Sequence, residues 1–225
     1  MVIGESHRVG QAEDNIENIK KLEAFAKEQY GLENAVYRWG GQHYKPADLI
    51  PYIGPKKGGS HVFIATGFST DGLVYGTLAG MLIADAIEGK ENPWVDMYKA
   101  HRFSPLKSAS NFIEESINTA KQYLNILPGK ADKADFEHVK NGQGAIVEQD
   151  NEKIAAYRDE EGKLTLTSAV CPHMKCIVNW NNAEKTWDCP CHASRFQPDG
   201  TVLEGPSYHP LASIEMIGGE IKKEK

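Results

Sequence analysis

The placement of the cysteines is the feature that most constrains this chain. The 225 residues contain four cysteines, and all four lie in two short runs, CPHMKC and CPCHASRF. Each run also carries a histidine, so that Cys171 and His173 stand two residues apart and Cys189 and His192 three residues apart. Two loops that each donate one thiolate and one imidazole can close around a metal centre. The sequence therefore predicts a metal site at the tips of two hairpins.

Two other interpretations of the cysteines stay open at this point. Free cysteines are among the most buried residues, so four core thiols would need no metal. Zinc is also bound by cysteine and histidine, in zinc-stabilised interaction modules for example, although its ligands usually come as Cys-x2–4-Cys and His-x3–5-His pairs. The order Cys-x-His followed by Cys-x2-His differs from that spacing.

The stretch CPHMKCIVNWNNAEKTWDCPCHASRFQPDGTVLEGP resembles the Rieske [2Fe–2S] family over both cysteine loops and over the G-x-V-x-x-G-P segment that follows. In that family two cysteines hold one iron of the cluster and two histidines hold the other. The resemblance implies that Cys171 and Cys189 bind one iron, and that His173 and His192 bind the second.

The same resemblance implies a disulfide between Cys176 and Cys191 that ties the two loops together. It also implies that Ser194 donates a hydrogen bond to the sulfurs of the site and raises the reduction potential. Phe196 stands where the family has a tyrosine hydroxyl, and Ala193 where it has glycine. We therefore expect an intermediate potential within the range of about −150 to +300 mV for Rieske centres.

Apolar spacing predicts the elements of the first part of the chain. Residues 13–30 form an amphipathic helix that Gly31 ends. The run NAVYRWG (34–40) predicts a strand, and HVFIATGF (61–68) predicts a fully buried strand. The run GLVYGTLAGMLIADAI (72–87) predicts a packed helix, and a buried strand followed by a helix is typical of an α/β layer.

The second part of the chain has a different pattern. A helix is predicted near 109–127, and LPGKADKAD (127–135) is the candidate linker. Short alternating runs then predict a small all-β module, with strands GAIVEQ, KIAAYRD, KLTLTSAV, CIVNWN, TWDCP and TVLEG. The fold class is α+β and multidomain, a partial α/β portion followed by an all-β domain. The predicted divisions are 1–103 for the first domain, 104–131 for a helix and linker, and 132–225 for the Rieske domain.

The runs YRWGGQHYKPADLIPYIGP and VFIATGFSTDGLVYGTLAGMLIADAIEGKENPW resemble the C-terminal part of FAD-dependent oxidoreductases of the D-amino-acid oxidase type. The resemblance implies that backbone amides of one segment approach the flavin ring, at Gly67, Phe68, Ser69, Gly72 and Leu73. The fingerprint G-x-G-x-x-G, which binds the FAD pyrophosphate, does not occur in the sequence. We therefore expect an incomplete oxidoreductase, one portion of a longer or split enzyme, that lacks most FAD contacts.

The function implied is that of an oxidoreductase in which a Rieske cluster passes single electrons to or from a flavin-type partner domain. The alternative is a stand-alone Rieske ferredoxin-like carrier that docks a redox protein partner. The net charge of −6 argues against nucleic-acid binding. No apolar tract reaches the roughly 20 residues of a membrane span, and MVIGESHRVG does not resemble a signal peptide, so we expect a cytoplasmic protein. No general acid, base or nucleophile is predicted.

Overall fold

The structure is a computed structural model that describes residues 1–57, 61–102, 105–126, 132–133, 136–217 and 220–223. The chain divides into two compact units. The first unit combines Met1–Gly40 with Asn118–Lys225, and the second is Gly41–Ile117. The predicted domain divisions after residues 103 and 131 lie beside residues that are not described, and they stay predictions.

The first unit begins with the predicted amphipathic helix. Helix α1 spans Asn15–Tyr30, and the Asp14 side chain caps it by accepting hydrogen bonds from the amides of Ile16 and Glu17. Gly31 ends the helix in the left-handed conformation, with φ of 65°. Since a left-handed residue just past a helix favours glycine, the predicted helix and its end at this glycine are both confirmed.

The strand predicted over residues 34–40 is wrong. All seven residues are described, and none of them belongs to a strand. The apolar side chains that suggested it are exposed, with Val36 82%, Tyr37 80% and Trp39 66% accessible. An apolar run becomes a strand when a neighbouring strand takes up its backbone hydrogen bonds, and this segment pairs with none among the described residues.

The first sheet of this unit has four strands in the order β3-β4-β5-β6. Its strands are β3 (Asp132–Lys133), β4 (Gln143–Gln149), β5 (Glu152–Arg158) and β6 (Leu164–Ser168). Strand β3 runs parallel to β4, and the other neighbours are antiparallel. Both residues of the β4–β5 turn have positive φ, as a two-residue hairpin with the right-handed strand twist requires.

Further strands complete the all-β part. A second sheet has the order β10-β9-β8-β7, and a two-stranded ribbon follows it. These strands are β7 (Asn179–Asn181), β8 (Thr186–Asp188), β9 (Arg195–Phe196), β10 (Val202–Glu204), β11 (Ile214–Ile217) and β12 (Glu220–Lys223). Each of the six predicted runs contains a strand, so the β-rich prediction is confirmed. Strands β3, β9, β11 and β12 were not predicted.

Aromatic side chains fill the core of the β part. Trp187 and Phe196 are 0% exposed, and they pack in one cluster with the cysteines of both loops. The rings of Trp180 and Trp187 lie 4.7 Å apart, centroid to centroid. A Cβ on Gly144 would lie 2.5 Å from Trp180 and 2.8 Å from Trp187. Glycine at this point of β4 therefore lets the first sheet approach the tryptophan pair.

The second unit contains a hairpin and helices. These elements are β1 (Tyr52–Pro55), β2 (Phe63–Thr66), α2 (Gly72–Glu88), α3 (Val95–Tyr98) and the start of α4 (Pro105–Tyr123). The helix predicted near 109–127 is confirmed, although α4 begins earlier and passes at Leu124–Ile126 into a short 3-10 turn. Most of the predicted linker 127–135 lies outside the described residues.

The burial predicted for the second unit is wrong. Strand β2 pairs only with β1 among the described strands, and its last two residues are exposed. Helix α2 buries Ala79 and Leu82, but Leu73 is 91% exposed, and Val74 and Ile87 are each 68% exposed. A helix that is apolar all round is typical of burial on every side, whereas a two-stranded hairpin covers only one stripe. Among the described residues, no helix is both long and apolar enough to cross a membrane.

A buried ion pair holds the second unit together. Arg102 donates to both carboxylate oxygens of Asp48, at 2.8 and 2.7 Å, and to the carbonyl of Pro51 at 2.7 Å. Its guanidinium also lies 4.0 Å from the centre of the Tyr52 ring. Hydrogen bonds from Arg102 hold the pKa of Asp48 below its ordinary value. Both side chains are at most 6% exposed, so each charge depends on the other.

Candidate metal centre and flavin segment

The first cysteine loop, residues 171–176, is a tight turn closed by its own backbone. The amide of Cys171 donates to the carbonyl of Cys176 at 2.8 Å, and the amide of Lys175 donates to the carbonyl of Cys171 at 3.0 Å. Lys175 adopts the left-handed conformation, with φ of 64°. The turn therefore presents Cys171 and the residues that follow it in one fixed arrangement.

The second cysteine loop, residues 189–194, has the same backbone arrangement. The amide of Cys189 donates to the carbonyl of Ser194 at 2.8 Å, and the amide of Ala193 donates to the carbonyl of Cys189 at 3.0 Å. Ala193 has φ of 63°, at the position equivalent to Lys175. The two runs of sequence thus fold into matched loops, and the first cysteine of each occupies the same place.

The four cysteines divide into a bonded pair and a free pair. Cys176 and Cys191 form a disulfide, and this is the pairing that the Rieske resemblance implies. Cys171 and Cys189 are free and buried, with 1% and 2% of their surface exposed. The sulfurs of Cys176, Cys189 and Cys191 lie within 4.8 Å of one another. Since a disulfide offers no thiolate, the sulfurs available to a metal here are those of Cys171 and Cys189.

The two free thiols are close enough to share a proton. The Cys189 thiol donates a hydrogen bond to the Cys171 sulfur, which lowers the pKa of Cys171 to about 6. The same hydrogen bond, together with burial, raises the pKa of Cys189. The backbone amides of Cys191 and His192 donate to the Cys189 sulfur and oppose that rise. Amide donors of this kind stabilise negative charge on sulfur, whether in a thiolate or in a metal–thiolate group.

The Cys171 sulfur has donors of its own. The amides of His173 and Met174 donate to it, and so does the hydroxyl of Ser194. Ser194 is 0% exposed, and its oxygen also accepts a hydrogen bond of 2.9 Å from the amide of Ser207. This second contact helps to hold the Ser194 oxygen in place.

The two histidines lie at the surface next to each other. His173 and His192 are both exposed, and their ring centroids are 4.9 Å apart at an interplanar angle of 87°. Burial and the neighbouring His173 hold the pKa of His192 below its ordinary value. A neutral imidazole is the form that binds metals. The His192 ring is therefore suited to act as a ligand.

The donor set fits a Rieske cluster. Two buried thiols and two adjacent imidazoles come from matched loops, and amide donors surround the sulfurs. This is the ligand chemistry of a [2Fe–2S] centre held by cysteine on one iron and histidine on the other. The structure brings Cys171 and Cys189 together and His173 and His192 together, and the ligand assignment itself is taken up below as a proposal.

A buried charge network beneath the second loop was missed by sequence reasoning. Arg195, 5% exposed, donates to Asp188 at 3.1 Å and to Glu184 at 2.7 Å. Burial opposes the charge of Arg195, but these carboxylates raise its pKa. Asp188 immediately precedes Cys189, so the network anchors the base of the loop. The partners Glu184 and Arg195 lie 11 residues apart, and no local sequence pattern marks the network.

The predicted flavin segment begins with a strained turn. Gly67 has φ of 77°, and a Cβ there would lie 2.5 Å from Pro46, so the position favours glycine. Ser69 also has positive φ, of 52°, and its amide donates to the carbonyl of Tyr44 at 3.2 Å. The turn is therefore fixed by contacts within its own unit.

The start of α2 is the accessible part of this segment. Nothing lies within 4 Å of a Cβ built on Gly72, and Leu73 is 91% exposed. Phe68 stacks on Tyr75 with the ring centroids 6.2 Å apart. The first amides of a helix attract electron-rich groups, so an open helix start beside a glycine fits the approach of a flavin ring.

Comparison with known families assigns both parts of the chain. The profile of the Rieske [2Fe-2S] domain matches residues 131–215, and that of the FAD dependent oxidoreductase family matches residues 1–86. The chain thus has a Rieske [2Fe-2S] domain in its C-terminal part and an FAD-dependent oxidoreductase domain in its N-terminal part. The predicted family resemblances and the [2Fe–2S] cofactor are confirmed.

Particular relatives are similar to different lengths of the chain. The Rieske 2Fe-2S iron-sulfur protein YhfW of Bacillus subtilis (strain 168) is 36% identical over 95% of this chain and 42% of its own length. A cytochrome b6-f complex iron-sulfur subunit of Chlorobaculum tepidum is 37% identical over 35% of this chain and 42% of its own length. The crystal structure of the plasma membrane Rieske protein PetC3 from Synechocystis PCC 6803 is 25% identical, covers 36% of this chain and 86% of that chain, and has a TM-score of 0.30. The chain spans less than half the length of the first two relatives.

Proposed function

We propose that Cys171, Cys189, His173 and His192 hold a [2Fe–2S] cluster, and that the chain exchanges single electrons with a flavin bound by the oxidoreductase to which residues 1–86 belong. The observation that carries the proposal is the convergence of two free thiols and two imidazoles from matched loops. A cluster bound there supplies one-electron transfer. The protein residues position it, exclude water from the sulfurs and leave the histidine side accessible.

Burial divides the proposed site into a closed side and an open side. The sulfurs of Cys171 and Cys189 lie in the core, where solvent does not compete with their amide donors. His173 and His192 are exposed, so a redox partner that docks over them comes closest to the cluster. Electrons therefore enter and leave on the histidine side.

The hydroxyl groups around the sulfurs set the expected potential. Ser194 donates to the Cys171 sulfur, which favours the more negative reduced state. Phe196 is 0% exposed and packs in the same core, and it has no hydroxyl to donate. One hydroxyl donor instead of two supports an intermediate potential within the Rieske range of about −150 to +300 mV.

The flavin contacts are proposed at the turn before α2 and at the start of that helix. These residues are Gly67, Phe68, Ser69, Gly72 and Leu73. The open helix start and the exposed apolar face of α2 support them. Because the chain spans 42% of the length of YhfW, we propose that further polypeptide covers this face and supplies the remaining FAD contacts. We also propose that this assembly is cytoplasmic.

The proposal is tested by counting iron and acid-labile sulfide in the purified chain and in four variants. The wild type should carry two of each per chain. Cys171→Ser, Cys189→Ser, His173→Ala and His192→Ala should each lose most of the iron. The matched control is the double variant Cys176→Ser/Cys191→Ser, which removes two cysteines from the same loops but no proposed ligand, and which should still bind iron when freshly purified.

A different metal would sink this assignment. Zinc in place of iron, with no labile sulfide, would indicate a zinc-stabilised module instead. Iron that persists in all four ligand variants would show that the ligands lie elsewhere.

A second function, a stand-alone Rieske electron carrier, is favoured by the packing of the β part, which has its own aromatic core. Gel filtration of the cluster-loaded chain after incubation with FAD separates the two functions. A flavin band that co-elutes with the cluster supports the flavin-linked oxidoreductase. A cluster without flavin supports a carrier that meets a separate redox partner.

A further inference from the structure

A segment far from the Rieske domain in sequence packs against its second cysteine loop. We call residues 8–16 the N-terminal strap; it lies in the same compact unit as the Rieske domain. The side chain of Asn179 in β7 donates to the carbonyl of Gly10 at 2.6 Å. A Cβ on Gly10 would lie 2.6 Å from the carbonyl oxygen of Asp188 and 2.9 Å from the nitrogen of Pro190. The strap therefore touches the backbone on both sides of Cys189.

The other end of the strap is also fixed. Asn182 accepts a hydrogen bond from the amide of Asn15 at 3.1 Å and donates to the Asp14 carboxylate at 2.8 Å. Because Asp14 is also the cap of α1, the start of that helix is fixed to the β7–β8 turn. The strap is thus held at two places rather than by one surface contact.

One side chain of the strap reaches a peptide group that acts on a proposed ligand. Gln11 Nε2 donates to the carbonyl oxygen of Pro190 at 2.9 Å. The amide on the other side of that same peptide group belongs to Cys191, and it donates to the Cys189 sulfur. A donor on a carbonyl polarises the peptide and strengthens the bond made by its N–H, because chained hydrogen bonds reinforce one another. Gln11 is therefore placed to act on Cys189 through one peptide group.

We propose that Gln11 is a positioning residue of the cluster site, which strengthens the hydrogen bond from the Cys191 amide to the Cys189 sulfur and thereby raises the reduction potential. The inference rests on the proposed cluster ligands. Donors to sulfur favour the reduced cluster because it carries one more negative charge. Gln11 lies within the residues that match the oxidoreductase family, and the proposal gives this residue a role in the Rieske centre.

Tyr123 makes a similar contact with the first cysteine loop, but the peptide group that it contacts does not donate to a sulfur. It also comes from outside the Rieske match, and its hydroxyl donates to the carbonyl of Met174 in the first loop at 2.7 Å. The amide of that peptide group belongs to Lys175, and it donates to the carbonyl oxygen of Cys171 rather than to a sulfur. Loss of the Tyr123 hydroxyl removes a loop contact of the same kind, but its peptide makes no bond to a ligand sulfur.

The test is a redox titration of the full chain with dithionite, followed by visible circular dichroism, on the wild type, Gln11→Met and Tyr123→Phe. Gln11→Met keeps the length of the side chain and removes the donor. Chained hydrogen bonds strengthen one another by about 10–30% per bond. We therefore expect the equilibrium constant for reduction to fall about twofold in Gln11→Met. At 59 mV per tenfold change, this lowers the reduction potential by about 18 mV. Gln11→Leu, a second variant without a donor, should shift in the same direction, and Tyr123→Phe should match the wild type.

Three other outcomes would contradict the proposed role of Gln11 or the proposed cluster. Equal potentials in the wild type and both Gln11 variants would show that Gln11 does not act on the sulfur. Equal shifts in Gln11→Met and Tyr123→Phe would assign the effect to general loosening of the loops. A wild-type chain without a [2Fe–2S] spectrum would overturn the proposed function itself, before any comparison of variants.

Discussion

The two regions of the molecule bury their apolar residues to very different extents. In the Rieske part, large side chains such as Trp187, Phe196 and Ile154 are 0% exposed and belong to extensive clusters. In the unit of residues 41–117, the buried cluster consists of Ile53, Ala79 and Leu82 with a few half-buried neighbours. The Rieske part has a closed core, whereas the unit of residues 41–117 has apolar surface that its described residues do not cover.

This difference also distinguishes the surroundings of the two proposed sites. In the unit of residues 41–117, much of the apolar surface of α2 is exposed, including Leu73, Val74 and Ile87. In the Rieske part, two four-stranded sheets and the two cysteine loops contain most residues of the buried clusters. The proposed cluster ligands Cys171 and Cys189 therefore lie in a closed core, and the proposed flavin contacts lie beside exposed apolar surface.

The largest effect is expected from opening the Rieske core. Phe196→Ala should lower the free energy of unfolding by about 4 kcal/mol, because it removes a fully buried ring and leaves a cavity. Urea denaturation of the wild type and variant measures this. Tyr208→Ala is the matched aromatic control, since Tyr208 is 93% exposed and should change stability by less than about 0.5 kcal/mol. Equal losses in both variants would contradict the description of the core.

A smaller effect should appear in the other region when its buried ion pair is broken. Arg102→Met should lower local stability by about 3 kcal/mol at pH 7, since it leaves Asp48 buried without its partner. Hydrogen exchange of the β1 and β2 amides measures this, with the β5 amides as the control. No change in the β1 amides would contradict a stabilising role for the pair.

The same variant has a defined pH dependence. The pKa of Asp48 is lowered by Arg102 from an ordinary value of 3.8. The stability that the Arg102–Asp48 pair contributes is therefore fully present above about pH 4. It is lost as the pH falls through the lowered pKa of Asp48. The difference in exchange between the wild type and Arg102→Met should shrink below about pH 4. A difference that is constant down to pH 2 would show that Asp48 is not the titrating group.

The smallest effect concerns strain in the cysteine loops. Ala193 has φ of 63°, which costs an L-residue about 1 kcal/mol or more. Ala193→Gly should therefore stabilise the Rieske part by about 0.5 to 1 kcal/mol in urea denaturation. Ala24→Gly, at an exposed position in α1, is the same substitution in a helix and should destabilise by about 1 kcal/mol. Destabilisation by both would show that Ala193 bears no strain.

Local patterns predicted the parts of the fold that depend on neighbouring residues in sequence. The strands β4 to β6 and the helix Asn15–Tyr30 could be predicted because the alternation of side chains and the capping residues are local features. The four proposed cluster ligands were readable because cysteine and histidine spacing is rare and specific. The disulfide followed from the family resemblance.

Features that depend on distant partners could not be predicted in the same way. The strand at 34–40 and the burial of α2 were wrong because an apolar pattern does not show which residues cover it. Gln11 gave no signal, since its partner Pro190 lies 179 residues away. Arg195 and Asp188 are charged residues whose burial depends on each other, and a sequence pattern does not reveal such a pair.

The measurement that tests the central claim most directly is the visible absorption spectrum of the aerobically purified chain before and after dithionite. A reddish-brown spectrum that partly bleaches on reduction is the predicted result, because a [2Fe–2S] centre with mixed cysteine and histidine ligands accepts one electron. A featureless spectrum would contradict the claim if the protein is folded, contains zinc and no iron, and was never exposed to a chelator.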